Sequence, residues 1–195
     1  MNFHMEETAT YQAVQIVDDE EKIKLLADFI REEILRLLSI KPMTETQLSQ
    51  ELGLTKAAVG YHLHLLAEAN LVHIEKIEAE KHGILQKYYS PAAALFIVDS
   101  EKIPKEIKPY FIQNQIQFLR GSLSVIKNNY AKILPKDMET LALAFLKCLK
   151  KAGQKYVDEE VKEGEAESVR IRIHAEALRR LMKRKVWRKI LDRAE

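Results

Sequence analysis

The stretch LTKAAVGYHLHLLAEANLVH, Leu54 to His73, decides how this chain is read. It opens small and polar, holds His62 and His64 in its middle and closes apolar. Three readings compete: a buried helix, a metal site, or a helix that reads nucleic acid. Thr55 is placed to cap a helix, because its side chain can accept from a free N–H of the first turn. Val59, Leu63, Leu66 and Ala69 then recur at helical spacing and make one apolar stripe. Asn70 can take the left-handed terminating position that otherwise favours glycine. Thr55, Lys56, Ala57, Gly60, Tyr61 and His64 lie off the stripe. A helix that buries one side and keeps the other slim and polar can enter a major groove about 12 Å wide. Gly60 costs such a helix about 1 kcal/mol relative to alanine. Close approach to DNA would explain that cost, and so would close packing on a neighbouring helix. His62 and His64 point roughly 200° apart on a helix, so they do not share a metal ion. His62 reads as a half-buried ring bonded to backbone or as a phosphate contact, and His64 as solvated or DNA-facing. Tyr61 either donates to phosphate or packs on the segment that follows.

Working outward, MTETQLSQELGL predicts a short helix before the reading helix. Thr44 caps it, and Gln47 stands where a capping box wants its partner. Leu48 and Leu52 face inward, and Gly53 ends the helix in a left-handed conformation. Thr46, in the same first turn, joins Thr44 and Gln47 as a candidate DNA contact. Further upstream, AVQIV (residues 13–17) reads as a strand, and Asp18 and Asp19 as caps of one long helix, EEKIKLLADFIREEILRLLSI. Its apolar positions Ile23, Leu26, Ala27, Ile30, Ile34, Leu37 and Leu38 fall at spacings of three and four. Downstream, LVHIEKIEAE alternates apart from a break at Glu75 and Lys76, AEKHG reads as a turn and ILQKYYS as a second strand, which together predict a β-hairpin. Lys76, Lys81, His82 and Lys87 are its candidate phosphate contacts. ALFIVD is a further strand or a buried connector. Three helices and a hairpin in this order predict a winged helix-turn-helix.

The segment IREEILRLLSIKPMTETQLSQELGLTKAAVGYHLHLLAEANLV resembles the winged-helix domain of the ArsR-type transcription regulators. It resembles still more their archaeal relatives with helical C-terminal extensions. R-x-x-I-L-x-L-L, L-S-x-x-L-G-L, H-L-x-x-L and A-x-L-V carry the likeness, over roughly residues 13 to 93. The resemblance implies a homodimeric, sequence-specific repressor or activator. Its helix from Thr55 would lie in the major groove, and the hairpin tip at Lys81 and His82 would touch backbone or minor groove. The family's metal sensors carry a Cys-x-Cys pair in the reading helix, or Asp/His and His/Glu pairs on a C-terminal helix. Here the first position reads YHLHLL, and the last helix offers only His174 near Glu176, so no metal ligand set is expected.

The remaining half differs in charge. Residues 1–90 hold 9 Lys/Arg against 15 Asp/Glu, and residues 91–195 hold 22 against 14. Such a sign change suggests two modules. Residues 99–109, with Pro104 and Pro109, read as the linker. The expected division is a DNA-binding domain over 1–98 and a helical dimerisation domain over 99–195. Ile112, Ile116, Leu119, Leu123, Ile126, Tyr130 and Ile133 repeat as an a/d heptad seam. On one helix it would span 22 residues, about 33 Å. It is the candidate dimer contact, against the alternative of an intramolecular core. A helix from about Pro135 follows, and a single final helix between Glu165 and Arg193. The final stretch carries 10 Lys/Arg and 3 Asp/Glu from Arg170 onward. Cys148, the one cysteine, sits in LALAFLKCLKKA and reads as buried packing.

An acidic first half opposes DNA binding, whose non-specific part comes mainly from phosphate neutralisation. Helix N-termini at Thr44 and Thr55 can hold phosphates through backbone N–H groups instead, so few ion contacts per half-site are expected. No apolar run approaches the roughly 20 residues of a membrane span, and the first ten residues lack a signal-peptide pattern. The expectation is therefore a cytoplasmic, mainly α protein with a small β-hairpin wing and a helical dimerisation module. It would bind double-stranded DNA as a homodimeric regulator, with no membrane, metal, cofactor or catalytic residue, and with an effector the sequence does not name. The alternatives are a winged-helix protein-interaction module docking through its acidic surface, and RNA binding through the basic C-terminal helix.

Overall fold

A computed structural model describes residues 10–79, 83–126, 130–162 and 164–193. The contacts divide the chain into two compact units that interleave along the sequence. The first holds Met1–Gln15, Asp28–Phe96 and Tyr156–Arg170, and the second Ile16–Ala27, Ile97–Lys155 and Ile171–Glu195.

The first unit contains the winged helix. Strand β1 (Thr10–Val17) begins three residues before its expected start. Helix α1 (Glu20–Leu26), next along the chain, belongs to the second unit. The long first helix is in fact two, because α2 (Phe29–Leu38) starts anew. Asp28 is the reason. It turns extended (φ −145°, ψ 124°), and its carboxylate accepts from Arg31 N at 3.0 Å. That bond satisfies a donor which a continuous helix would have spent on the preceding turn. Helix α3 (Glu45–Leu52) carries the expected capping box. Thr44 Oγ1 accepts from Gln47 N at 3.2 Å, and Gln47 Oε1 accepts from Thr44 N at 2.9 Å. Gly53 ends α3 at φ +64°. Thr55 caps helix α4 (Lys56–Glu68), and Asn70 beyond it adopts φ +54°. Ile34, Leu38, Leu48, Val59, Leu63, Leu66 and Leu71 are fully buried and form the core between α2, α3 and α4.

The wing is an antiparallel hairpin of β2 (Val72–Ala79) and β3 (Leu85–Pro91), with a register shift between Ile74 and Lys76. That shift is the break in alternation visible at Glu75 and Lys76. Met43 adds a short bridge, exchanging backbone hydrogen bonds with Tyr89 at 2.9 and 3.2 Å. ALFIVD contributes a strand, β4 (Ala93–Val98). The other sheet runs in the order β4-β1-β5. Strand β5 (Glu160–Lys162) was not expected from the sequence. It pairs antiparallel with β1, Tyr11 opposite Val161.

The second unit is mainly helical. The presumed linker is partly packed, with Asp99, Ser100 and Ile103 buried, and helix α5 (Lys108–Ile126) starts within it. The seam does not run along one helix. Beyond α5 the chain forms a 3-10 turn at Tyr130–Lys132 and enters α6 (Pro135–Gly153). Leu134 is extended (φ −62°, ψ 147°), as the residue before a proline prefers. Helix α5 packs on α6, with Phe118 stacked on Phe145 at 5.0 Å. Ile116, Leu119, Leu123 and Ile133 are buried within this one chain, and Ile112 is half-buried.

The final helix also divides, into α7 (Ala166–Met182) and α8 (Lys185–Arg193). Buried Ile173, Ala177 and Leu181 follow a spacing of four, and the next buried residues are Trp187 and Ile190. Six residues separate Leu181 from Trp187, which on a straight helix leaves them roughly 120° apart. Breaking the helix lets Trp187 turn inward. Cys148 is buried as expected.

Candidate nucleic-acid interface

The candidate interface is built on α4. Its buried stripe leaves Ala57, Tyr61, His64 and Glu68 on the opposite side, at spacings of four, three and four. All four are exposed, Tyr61 at 61%. Thr55 and Lys56 are exposed at the helix start, where the first-turn N–H groups other than that of Ala58, which Thr55 caps, can face an anion. The left-handed Gly53 and the Thr55 cap thus present a short helix end-on, with a small residue at its second position.

The two histidines separate as their spacing requires. His64 is exposed and meets Glu68 at 3.4 Å. His62 is half-buried, its ring edge-on to Tyr61 at 5.5 Å between centroids. Its Nδ1 is buried and has no hydrogen-bond partner among the described residues. No group of three or more His, Cys, Asp or Glu converges on a metal position among the described residues.

Other expected contacts stand differently. Thr44 is buried, and its hydroxyl and backbone N–H are both engaged in the capping box. Thr46 and Gln47 are half-buried, Gln47 turned back to Thr44. Gly60 is half-buried and faces α3. A Cβ built there would lie 3.5 Å from Glu45 Oε2, an ordinary contact. The position therefore faces a neighbouring helix and has room to spare.

Sequence reading missed Glu45. Its carboxylate sits over Gly60 and accepts from Tyr89 Oη at 3.3 Å. Burial first, and then the Glu45 charge, push the Tyr89 phenol up. Nothing in the local pattern announces this link, which joins residues 44 positions apart.

On the wing, Lys76 is committed within its own hairpin. Its ammonium lies 2.8 Å from Glu78 and 4.9 Å from the centre of the Tyr88 ring. The Lys76 hydrogen bond holds the Glu78 carboxyl below the usual range. Lys87 is exposed, and Lys81 and His82 lie outside the described residues. Ile74, Ile77, Ile84 and Leu85 are large apolar side chains left exposed on the same hairpin.

Residues 28–73 match the model of a family described as "Bacterial regulatory protein, arsR family". This segment runs from the Asp28 cap through α2, α3 and α4 into the first residues of β2. Solved structures similar to the chain include reduced HlyU from Vibrio cholerae N16961. It is 24% identical over 46% of this chain and 76% of that one, with a TM-score of 0.31. No curated protein matches the chain. No helix among the described residues is long and apolar enough to cross a membrane.

Proposed function

We propose that this chain is a DNA-binding transcription regulator that reads a specific duplex sequence through α4; the arsR-family match at residues 28–73 supports the reading. One observation carries the reading. A capped helix buries Val59, Leu63 and Leu66 and leaves Ala57, Tyr61 and His64 exposed beside a free N-terminus. Slim and hydrogen-bonding groups on that side suit base edges, and the helix start suits phosphate. Lys56 supplies the cation at the entry to the groove, and Lys87 a backbone contact from the wing. A homodimer presenting two such helices about 34 Å apart would read a pseudo-palindrome. Ile116, Leu119 and Leu123 already serve the core of one unit, so a dimer built on α5 uses its outer flank.

Selection of bound fragments from genomic DNA, followed by binding of the Lys56→Ala/Tyr61→Ala variant, tests this. The expected result is a shared motif whose binding the variant loses while keeping its helical circular dichroism. Fragments without a common motif, or a variant that binds them equally well, overturn it. A second reading, a module that contacts protein, draws on Ile74, Ile77, Ile84 and Leu85 exposed on the wing. Under that reading the same variant keeps its partner, and replacing Ile77 and Leu85 by serine loses it.

A further inference from the structure

The second unit carries a cationic surface that the reading helix does not use. From Arg179 to Asp192 the sequence holds Arg179, Arg180, Lys183, Arg184, Lys185, Arg188 and Lys189, with Asp192 the only carboxylate. Arg180 is engaged with Glu176 at 2.7 Å, and Glu176 also accepts from Lys155 at 2.8 Å. Arg179, Lys183, Lys185, Arg188 and Lys189 are exposed and have no ion-pair partner among the described residues. Burial pushes the Cys148 thiol up against the opposing pull of Arg184, Arg180 and Lys151, so the end of α6 adds to the same field.

Folding explains only part of this charge. Arg179 and Arg180 stand in the last turn of α7, where a helix favours cations. Lys183 and Arg184 lie in the turn between α7 and α8, and Lys185 opens α8, where a helix disfavours a cation. Exposed cations gathered this densely with one carboxylate among them suit an external anion. We propose that this α7–α8 surface binds the phosphate backbone of duplex DNA and adds sequence-independent affinity.

Two features choose duplex DNA over other polyanions. An interfacial membrane helix inserts an apolar face, but the apolar side of α8 is already used. Trp187 and Ile190 are buried, and α8 packs on α6. Single-stranded nucleic acid is held by stacking on exposed aromatic rings, and Trp187, the one Phe, Tyr or Trp of α7 and α8, is only 5% exposed. What remains is a set of cations suited to evenly spaced phosphates. The choice of DNA as the anion rests on the regulator reading above.

The test is full-length protein with the triple substitution Lys183→Gln, Lys185→Gln and Lys189→Gln, titrated against random-sequence duplex over a range of salt. Each lost phosphate contact flattens the plot of log K against log salt by about 0.9, so three flatten it by about 2.7. Affinity near 0.1 M salt should fall by at least about tenfold, with Trp187 fluorescence unchanged as the control for packing. An unchanged slope overturns the proposal. So does a variant that loses binding to phosphatidylserine vesicles or single-stranded RNA but not to duplex. A normal response here with no shared motif among selected fragments sinks only the sequence-specific reading. A shared motif that Lys56→Ala/Tyr61→Ala abolishes, with no response to the triple substitution, sinks only this inference.

Discussion

Replacing Gly60 with alanine separates the two reasons a glycine could stand inside α4. The added Cβ points at Glu45, with Oε2 at 3.5 Å, Cδ at 3.7 Å and Oε1 at 3.9 Å. All three are ordinary contacts with the mobile end of a side chain, so the methyl enters without displacing backbone. The gain is the helix propensity of alanine over glycine, about 0.8–1.0 kcal/mol. In a protein of this size that raises Tm by roughly 2–4 °C. Gly53→Ala is the internal control. A Cβ there would meet nothing within 4 Å, but its φ of +64° is left-handed. There a Cβ costs about 1–2 kcal/mol, and Tm should fall. The same substitution seven residues apart thus changes sign. Thermal unfolding of both variants, followed by helical circular dichroism, measures it. Because the Gly60 Cβ faces α3, operator affinity should stay within about twofold of the parent protein, well under the tenfold that 1.4 kcal/mol represents. A destabilised Gly60→Ala protein would refute the packing argument. A stable one that loses tenfold or more in affinity would place DNA against Gly60 itself.

Thr44→Ala removes the acceptor for Gln47 N and should cost about 1 kcal/mol, read as a lower urea midpoint at unchanged slope. A loss of sequence preference without loss of stability would instead make Thr44 a direct contact, against its burial. In the second unit, burial works to raise the Asp99 carboxyl. The Lys150 ammonium at 2.6 Å, the Glu101 N–H at 3.1 Å and the Lys102 charge outweigh it and hold the group below its usual range. A carboxyl held low in the folded state stabilises above its unfolded pKa, about 4, and that contribution disappears as pH falls through the folded value. Asp99→Asn should therefore lower Tm at pH 7 and show a shallower decline below about pH 4. Parallel Tm-versus-pH curves would remove Asp99 from the account.

Features set within a few residues were legible in the sequence. The Thr44–Gln47 box, the Thr55 cap, the left-handed Gly53 and Asn70, and the buried Val59, Leu63 and Leu66 all stand as their local pattern required. Each depends on bonds spanning three or four residues, or on one dihedral, so neighbouring residues suffice to specify it. The outward side of α4 followed from the same periodicity. The breaks at Asp28 and before Lys185 were less legible, since both flanks of each break keep an apolar pattern that reads as continuous helix.

Tertiary structure decided what local spacing leaves open. A heptad seam shows that Ile116, Leu119 and Leu123 need cover but not which chain supplies it, and here α6 of the same chain covers them. Strand β5 has three residues and little pattern of its own, and it exists because Val161 pairs with Tyr11 at the other end of the sequence. Gly60 meets Glu45, and Glu45 meets Tyr89, only once α3 and β3 are brought together. Local hydrogen bonding and periodicity wrote the elements and their faces into the sequence. Which face covers which is settled by long-range burial, where the free energy belongs to the packed whole and no short segment carries it.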